Sequence, residues 1–172
     1  MVVRPARRDD IAMITEIYND AVLHSTASWD LEPVSLQDRL DWFGMKMAEQ
    51  WPVLVAEENG EVAGWASFGP FRDRPGYRHT VEHSVYVRKD QQRRGIGSTL
   101  ISALVSEAQR RGFHAMLGGV SADNAAGIAF HETHGFVAVA RLPEVGRKFD
   151  RWLDLVLLQR LLEEVQHGQD SG

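Results

Sequence analysis

Apolar residues recur every three or four positions in three stretches of the first 112 residues, which predicts three amphipathic helices. The first helix follows a cap at Asp9 or Asp10, and the second follows Ser35, which opens a capping-box pattern. The third begins within residues 92–97, written QRRGIG, and Gly112 is placed to end it. A shorter fourth helix is predicted for the segment NAAGIAFHETHG.

Strand-like segments lie between and after these helices. Asn59-Gly60 separates two apolar runs in PVLVAEENGEVAGWASF and supplies the positive φ angles of a two-residue hairpin turn. Further strands are predicted for VVRPA, TVEHSVYV, AMLGGV, FVAVARL and RWLDLVLLQ. The strand at 80–87, the third helix and the strand at 115–120 predict a right-handed parallel crossover.

Composition limits the class of protein. A chain of 172 residues, 44% hydrophobic and 25% charged, can bury one sizeable core, so we predict a single domain over residues 1–160 and a short tail at 161–172. Because the chain has no bilayer-spanning apolar run and its N-terminus lacks the apolar core of a signal peptide, we expect a cytoplasmic protein with no membrane partner.

Charge and cysteine content narrow the chemistry. A formal net charge of −5 argues against a nucleic-acid partner held by global positive charge, so any anion must be bound locally. The chain contains no cysteine, which excludes disulfides, thiolate metal ligands and a cysteine nucleophile. His131 and His134 are three positions apart, whereas the zincin motif needs four, so we predict no metal.

The segment QRRGIG has the features of an anion site. Glycines at Gly95 and Gly97 let the backbone approach a ligand, and the free N–H groups of the helix that follows point at it. A pyrophosphate fits this arrangement, and a solvated basic turn is the alternative. The third position of a dinucleotide fingerprint is Leu100 here, and no G-K-[ST] triplet follows, so both nucleotide motifs are disfavoured.

The pattern Gln92-x-x-Gly95-x-Gly97 resembles the coenzyme A pyrophosphate loop of the GNAT superfamily of N-acetyltransferases. Asn124 and FHETHGF follow where that superfamily has its pantetheine-side asparagine and closing element. The blocks TVEHSVYV, NAAGIAFHETHGF and EVGRKFDRWLDLVLLQ are similar to the phosphinothricin N-acetyltransferase family, and the similarity runs from the first helix through Gln159. It implies an α/β (α+β) GNAT fold, with a mixed, mostly antiparallel sheet splayed around acetyl-CoA and flanked by helices.

The resemblance also implies which residues bind the cofactor. Val85 and Val87 are expected to offer backbone hydrogen bonds to acetyl-CoA. The predicted cofactor-binding set is Val85, Tyr86, Val87, Gln92, Arg93, Arg94, Gly95, Ile96, Gly97, Ser98 and Asn124.

Two residues match the family's catalytic positions. Strand alternation places Glu82 on the more polar face of its strand and His83 on the other, where His83 is expected to pack under the sheet. Glu82 is the predicted general base, and His131 is a proton donor to the thiolate or a co-base, two roles that the sequence leaves open. A model glutamate and an α-amino group differ in pKa by about 3.5, so complete proton transfer costs roughly 5 kcal/mol unless burial raises the glutamate pKa.

Arginine suits the carboxylate of an amino-acid acceptor because its guanidinium binds both oxygens. Arg72, Arg74 and Arg78 are the predicted substrate-binding arginines, and Trp29 is the predicted aromatic wall of the acceptor pocket. The segment Gly146–Phe149 borders either that pocket or a dimer contact.

The resemblance predicts an enzyme that acetylates the α-amino group of phosphinothricin, methionine sulfoximine or methionine sulfone, and that forms a homodimer. Two alternatives remain open from the sequence. One is a GNAT acetyltransferase for another amine, such as a polyamine or a protein N-terminus, and the other is a noncatalytic acyl-CoA-binding module.

Overall fold

A computed structural model describes residues 1–163, which form seven strands and four α-helices. The helices are α1 (Ile11–His24), α2 (Leu36–Ala48), α3 (Ile96–Arg110) and α4 (Ala125–Thr133). The strands are β1 (Val2–Pro5), β2 (Val53–Glu58), β3 (Glu61–Pro70), β4 (Thr80–Val87), β5 (Ala115–Ser121), β6 (Val137–Lys148) and β7 (Arg151–Leu161). Among these described residues, no helix combines the length and the apolar character needed to cross a membrane.

The strands form one sheet in the order β1-β2-β3-β4-β5-β7-β6. Neighbouring strands are antiparallel except β4 and β5, which are joined by the predicted parallel crossover through α3. The predicted mixed, mostly antiparallel α/β fold is therefore confirmed.

Helices cover both faces of the sheet, so side chains of β4 enter two separate cores. On one face, Val81 packs in a cluster with Leu100 and Leu104 of α3. On the other face, Ile14 of α1 packs with Trp65, and Tyr86 lies against this second cluster. The side chains of β4 alternate between the two cores without a bulge, because the β3–β4 register runs unbroken from Gly64↔Val87 to Pro70↔Val81.

The parallel pairing between β4 and β5 is short. Three pairs hold the two strands together: Thr80 with Ala115, Val81 with Met116, and Glu82 with Leu117. Beyond Glu82 the strands separate, although β4 continues to Val87 and β5 to Ser121. This opens a fork in the middle of the sheet.

Most of the turn and helix caps predicted from the sequence are present in the structure. Asn59 and Gly60 have φ angles of 54° and 83°, which closes the β2–β3 hairpin as predicted. Ser35 caps α2 by accepting a hydrogen bond from the Asp38 N–H at 3.0 Å. Asp10 precedes α1 as expected, but its carboxylate makes no cap bond to that helix and instead accepts hydrogen bonds from Arg4 at 2.7 and 2.9 Å.

The last hairpin is longer than the sequence pattern indicated. We predicted a strand over FVAVARL, whereas β6 continues to Lys148 with register shifts near Ala138 and Leu142. At the other end, β7 reaches Leu161 and the buried Leu162 donates its N–H to His114, so the fold passes the predicted boundary at residue 160. The rest of the predicted tail, residues 164–172, lies outside the described residues.

Candidate active site

The fork between β4 and β5 leaves backbone groups of β4 free to bind a ligand. Arg88 donates its N–H to Ala63 of β3, and Thr80 accepts from Phe71 on the same side. Since N–H and C=O groups alternate in direction along a strand, even-numbered residues of β4 face β3 and odd-numbered residues face β5. Val85 and Val87 lie beyond the last pair with β5, so their backbone groups face the open gap.

The glycine loop closes the same gap at its wide end. Gly95 is the N-cap of α3 with φ of 81°, and the N–H groups of the first helical turn have no partner within the helix. A Cβ atom at Gly97 would lie 3.2 Å from Phe130, so only a small residue lets the loop pack this closely on α4. The cavity here has a volume of about 450 Å³ and is lined by Val85, Val87, Gln91, Gln92, Arg93, Gly95, Ile96, Gly97, Ser98, Asn124, Ala126, Gly127 and Phe130.

The two arginines of the loop have different surroundings. Arg93 lines the cavity and has a φ of 62°. Arg94 turns away, forming an ion pair with Glu58 at 3.1 Å and a hydrogen bond with Gln91. Arg94, one of the predicted cofactor-binding residues, therefore points to the β2–β3 hairpin and not into this cavity.

Asn124 joins the glycine loop to α4. It is the N-cap of that helix, where its Oδ1 accepts a hydrogen bond from the Gly127 N–H at 2.9 Å. This bond fixes the amide and leaves its NH₂ group available to donate. A second cavity of about 650 Å³ shares Val87, Gln92 and Asn124 with the first.

A third cavity, of about 340 Å³, lies on the α1 face of the sheet and shares Thr26, Ala27 and Tyr86 with the second. The three cavities thus adjoin one another in order from the glycine loop to the α1 face, each sharing lining residues with the next. The third, which we call the acceptor cavity, is lined by Tyr18, Thr26, Ala27, Ser28, Trp29, Asp30, Glu82, Tyr86, Gly119, Ser121 and Leu155.

Polar contacts fix the wall of the acceptor cavity opposite Glu82. The Tyr18 hydroxyl donates to Asp30 at 2.6 Å and lies 3.0 Å from the Ser28 hydroxyl. Lys148 is buried and its Nζ donates to the backbone oxygens of Ser25 and Ser28, at 2.8 and 2.6 Å. Lys148 thereby ties the segment after α1 to the last hairpin.

Sequence reasoning missed several members of this wall. Tyr18 has the helical spacing of a core residue, so it carried no local signal. Lys148 was named only as part of the segment Gly146–Phe149, which the sequence left between the pocket and a dimer contact. Asp123 was also missed, although it accepts from Ser121 at 2.6 Å and Thr26 at 2.9 Å and pairs with Arg151. These contacts lower the pKa of Asp123 to about 2, the largest cause being the hydrogen bond from Ser121.

Glu82 lies at the vertex of the fork and lines the acceptor cavity. Burial raises the pKa of Glu82 above its ordinary value, and the positive charge of Arg72 opposes part of that rise. The pKa of Glu82 is raised overall, which narrows the pKa difference between this carboxylate and an amine.

His131 lies on the opposite face of the sheet from Glu82. Since Glu82 and His83 are consecutive in a regular strand, their side chains leave β4 on opposite faces. His131 on α4 contacts His83, with 3.0 Å between the two Nε2 atoms. The two predicted catalytic residues are thus separated by the sheet and connected through its fork.

The predicted substrate residues are only partly brought together. Trp29 lines the acceptor cavity, and Arg72 is close enough to act on the pKa of Glu82. All three predicted arginines are exposed and, within the described chain, none lines these three cavities. Arg74 and Arg78 lie at the two ends of a short 3-10 turn (Pro75–Tyr77). Within residues 1–163, no group of three His, Asp or Glu side chains is placed to hold a metal ion.

The chain is similar to known proteins over most of its length. The family model described as Acetyltransferase (GNAT) family matches residues 13–136. The chain is 49% identical over 164 residues to an L-methionine sulfoximine/L-methionine sulfone acetyltransferase of Salmonella typhimurium, covering 95% of this chain and 96% of the relative. It is 48% identical to the L-amino acid N-acyltransferase MnaT of Escherichia coli K12, covering 95% of each chain.

A solved structure shows the same architecture. The GNAT superfamily phosphinothricin acetyltransferase of Sinorhizobium meliloti, in complex with AcCoA, superposes with a TM-score of 0.90 at 31% sequence identity. The match covers 98% of this chain and 95% of that structure.

Proposed function

The chain belongs to the acetyltransferase (GNAT) family and is an N-acetyltransferase, and on this premise we propose which cosubstrate and acceptor it uses. We propose that it transfers the acetyl group of acetyl-CoA to the α-amino group of a small amino acid of the methionine sulfoximine, methionine sulfone or phosphinothricin type. The observation that carries this proposal is the position of Glu82, at the vertex of the β4–β5 fork and in the wall of the acceptor cavity.

Acetyl-CoA fits the groups that line the fork. The unpaired backbone of Val85 and Val87 matches the amide groups of a pantetheine arm, and the N–H groups at the start of α3 favour the pyrophosphate. Each such helix-end contact contributes roughly 0.3–1 kcal/mol when exposed and up to about 2 when partly buried. Asn124 and Gln92 lie along the path between these two ends.

Glu82 removes the proton of the attacking amine. Its raised pKa reduces the cost of that transfer relative to an ordinary carboxylate, and direct attack on the thioester gains from holding both reactants at the fork. Arg72 keeps Glu82 in the ionised form over a wider pH range by opposing the effect of burial.

His131 returns a proton to the departing thiolate from the opposite face of the sheet. Its Nδ1 lies 2.7 Å from the Gly127 backbone oxygen, so the transfer uses Nε2, the nitrogen that contacts His83. This division assigns the base to one face of the fork and the acid to the other.

The acceptor cavity supports a compact substrate. Trp29, Tyr18 and Tyr86 supply aromatic walls, and Arg72 is the one predicted arginine near Glu82 that can meet a substrate carboxylate. A polar side chain of the amino acid meets Ser28, Asp30 and Ser121, which also line the cavity.

We also propose that the enzyme is a cytoplasmic homodimer. Strand β6 is an edge strand whose outward apolar residues have no cover within residues 1–163: Val137, Val139 and Val145 are 64%, 54% and 52% exposed. Trp152 on β7, beside that edge, is 58% exposed. A second copy of the chain would bury this surface and cover the open edge.

The proposal is tested by measuring free thiol released from acetyl-CoA across a panel of amines. The panel contains phosphinothricin, methionine sulfoximine, methionine sulfone, common amino acids, polyamines and short peptides. We expect selective turnover with the first three. Preference for a polyamine or a peptide would contradict the proposed acceptor class, and tight acetyl-CoA binding without turnover on the panel would mean that the acceptor is an amine outside it.

A further inference from the structure

His83, which is buried, and His131, which is half-buried, form a pair whose four ring nitrogens are all in contact with a partner. Nδ1 of His83 lies 2.8 Å from the Leu117 backbone oxygen, and Nδ1 of His131 lies 2.7 Å from the Gly127 backbone oxygen. The two Nε2 atoms face each other at 3.0 Å. The reaction described above uses His131 and leaves His83 without a role.

The hydrogen-bond chemistry of these contacts fixes the number of protons. A backbone oxygen only accepts, so each Nδ1 must carry a proton. If both rings were neutral, the two Nε2 atoms would then direct lone pairs at each other at hydrogen-bond distance. One further proton between the Nε2 atoms turns this repulsion into a charge-assisted hydrogen bond.

The surrounding residues enclose the pair tightly. A Cβ atom at Gly118 of β5 would lie 2.6 Å from Cε1 of His83 and 2.9 Å from Nε2 of His131. The ring of the buried Phe136 lies 5.1 Å from His83 and 5.4 Å from His131, between centroids. Gly118 is therefore the small residue that lets both imidazoles meet over β5.

The charged groups around the pair limit it to one added proton. Burial lowers the pKa of both histidines, and the charge of His131 lowers that of His83 further, to about 3. His134 on the same helix also disfavours charge on His131, and Arg160 of β7 donates to the His134 backbone oxygen at 2.7 Å. Because burial and these neighbours destabilise positive charge on the pair, the one proton added between the Nε2 atoms is more acidic than that of an exposed imidazolium, and a second is excluded.

We propose that His83 is a positioning residue that shares one proton with His131 and keeps that proton ready for the thiolate of coenzyme A. This inference rests on the proposed role of His131. As the nitrogen–carbon bond forms, the carbon–sulfur bond breaks and its electron pair leaves with sulfur. The thiolate takes the shared proton, and the surplus proton of the amine passes to Glu82. The histidine pair becomes neutral, and solvent carries the proton from Glu82 back to it.

Nuclear magnetic resonance of the full chain with ¹⁵N-labelled histidine tests the shared proton without catalysis. We expect one downfield proton resonance coupled to the Nε2 atoms of both rings, and protonated Nδ1 atoms on both. A spectrum in which either ring has an unprotonated Nδ1, or in which no proton is shared between the two Nε2 atoms, overturns the inference. This result is independent of whether the proposed acetyl transfer is observed.

Two matched variants test the use of the proton. In His83→Asn, the amide can retain the bond to Leu117 but cannot reach His131. In His83→Gln, the amide can reach His131 and hold its ring, but it cannot share a proton. We expect kcat to fall about tenfold in both variants, while the KM for acetyl-CoA stays unchanged. Without the second imidazole the proton is held less well, so the alkaline limb of the pH profile should move to lower pH. Wild-type kcat and pH profile in His83→Gln would show that His83 only supports the ring, which overturns the inference.

Discussion

The indole ring of Trp29 lies directly against the backbone of Gly146, in the space that a Cβ atom at Gly146 would occupy. The two residues are far apart in the sequence, and one comes from the irregular segment after α1 while the other comes from β6. This contact, together with the Lys148 bonds to Ser25 and Ser28, sets the position of the segment that closes the acceptor cavity. The segment Gly146–Phe149 therefore lies behind the pocket wall and supports it, through the contacts of Gly146 and Lys148 with the segment that holds Trp29 and Ser28.

Gly146→Ala should displace Trp29 and widen or distort the acceptor cavity. We expect the KM for the amino-acid acceptor to rise about tenfold, with little change in the KM for acetyl-CoA, because the cofactor groups of β4 and α3 are untouched. Steady-state kinetics with each substrate varied in turn measures this. Gly44→Ala in α2 is the matched control, since no atom lies within 4 Å of its Cβ, and it should leave both constants unchanged. Equal KM values in Gly146→Ala and the control would contradict the role of this contact.

Glu82→Gln should lower kcat by about 10²–10⁴-fold while acetyl-CoA binding is retained, because the amide keeps the shape of the side chain but cannot accept a proton. Isothermal titration with acetyl-CoA checks the fold and the cofactor site. Near-normal turnover in this variant would remove Glu82 as the base.

Arg72 should set the pH at which Glu82 becomes active. Burial raises the pKa of Glu82 and Arg72 opposes that rise, so removing the positive charge in Arg72→Gln raises this pKa further. As the pH falls, Glu82 then becomes protonated at a higher pH than in the wild-type enzyme. The acidic limb of the kcat profile therefore moves to higher pH. Arg72→Lys keeps the charge and should keep the limb close to the wild-type position. A limb that does not move in Arg72→Gln would show that the titrating group is not Glu82.

Gly95 and Gly112 offer a matched pair for the anion loop. Both have positive φ, 81° and 77°, and a Cβ atom at either one would meet no atom within 4 Å. Gly95→Ala and Gly112→Ala should therefore lose similar stability, roughly 1–2 kcal/mol from the left-handed backbone. Only Gly95→Ala should also weaken acetyl-CoA binding, because it lies at the N-terminus of α3 beside the cavity. Urea unfolding and acetyl-CoA titration separate the two effects, and equal affinities in both variants would contradict the pyrophosphate assignment.

Trp152→Glu should convert the proposed dimer into a monomer of 19.4 kDa, because it places a charge in the exposed apolar surface of β6 and β7. Light scattering coupled to size exclusion measures the mass. Val2→Glu is the control, since Val2 is 62% exposed on β1 at the opposite edge of the sheet. A wild-type protein that is monomeric, or a Val2→Glu variant that alone becomes monomeric, would place the interface elsewhere.

The elements of this fold followed from local patterns. Asn59-Gly60 supplied the hairpin turn, Ser35 and Asp38 supplied a helix start, and the apolar spacing of α3 identified the buried Leu100 and Leu104. Strand alternation also separated Glu82 from His83 correctly. Asp10 was the exception among these local signals, because its carboxylate binds Arg4 of β1 and the Arg7 N–H, and not the N–H groups of α1.

The sequence by itself therefore determined the elements, the glycine loop and the strand face on which Glu82 lies, because each depends on residues a few positions apart. The fork between β4 and β5 was implied only by the resemblance, and its vertex at Glu82 depends on where two strands stop pairing. Only the tertiary structure decided that His131 meets His83 across 48 residues, that Lys148 holds the loop after α1, and that Arg94 turns to Glu58. These contacts depend on how helices and strands pack, and no spacing along the chain encodes the distance between two side chains on different elements.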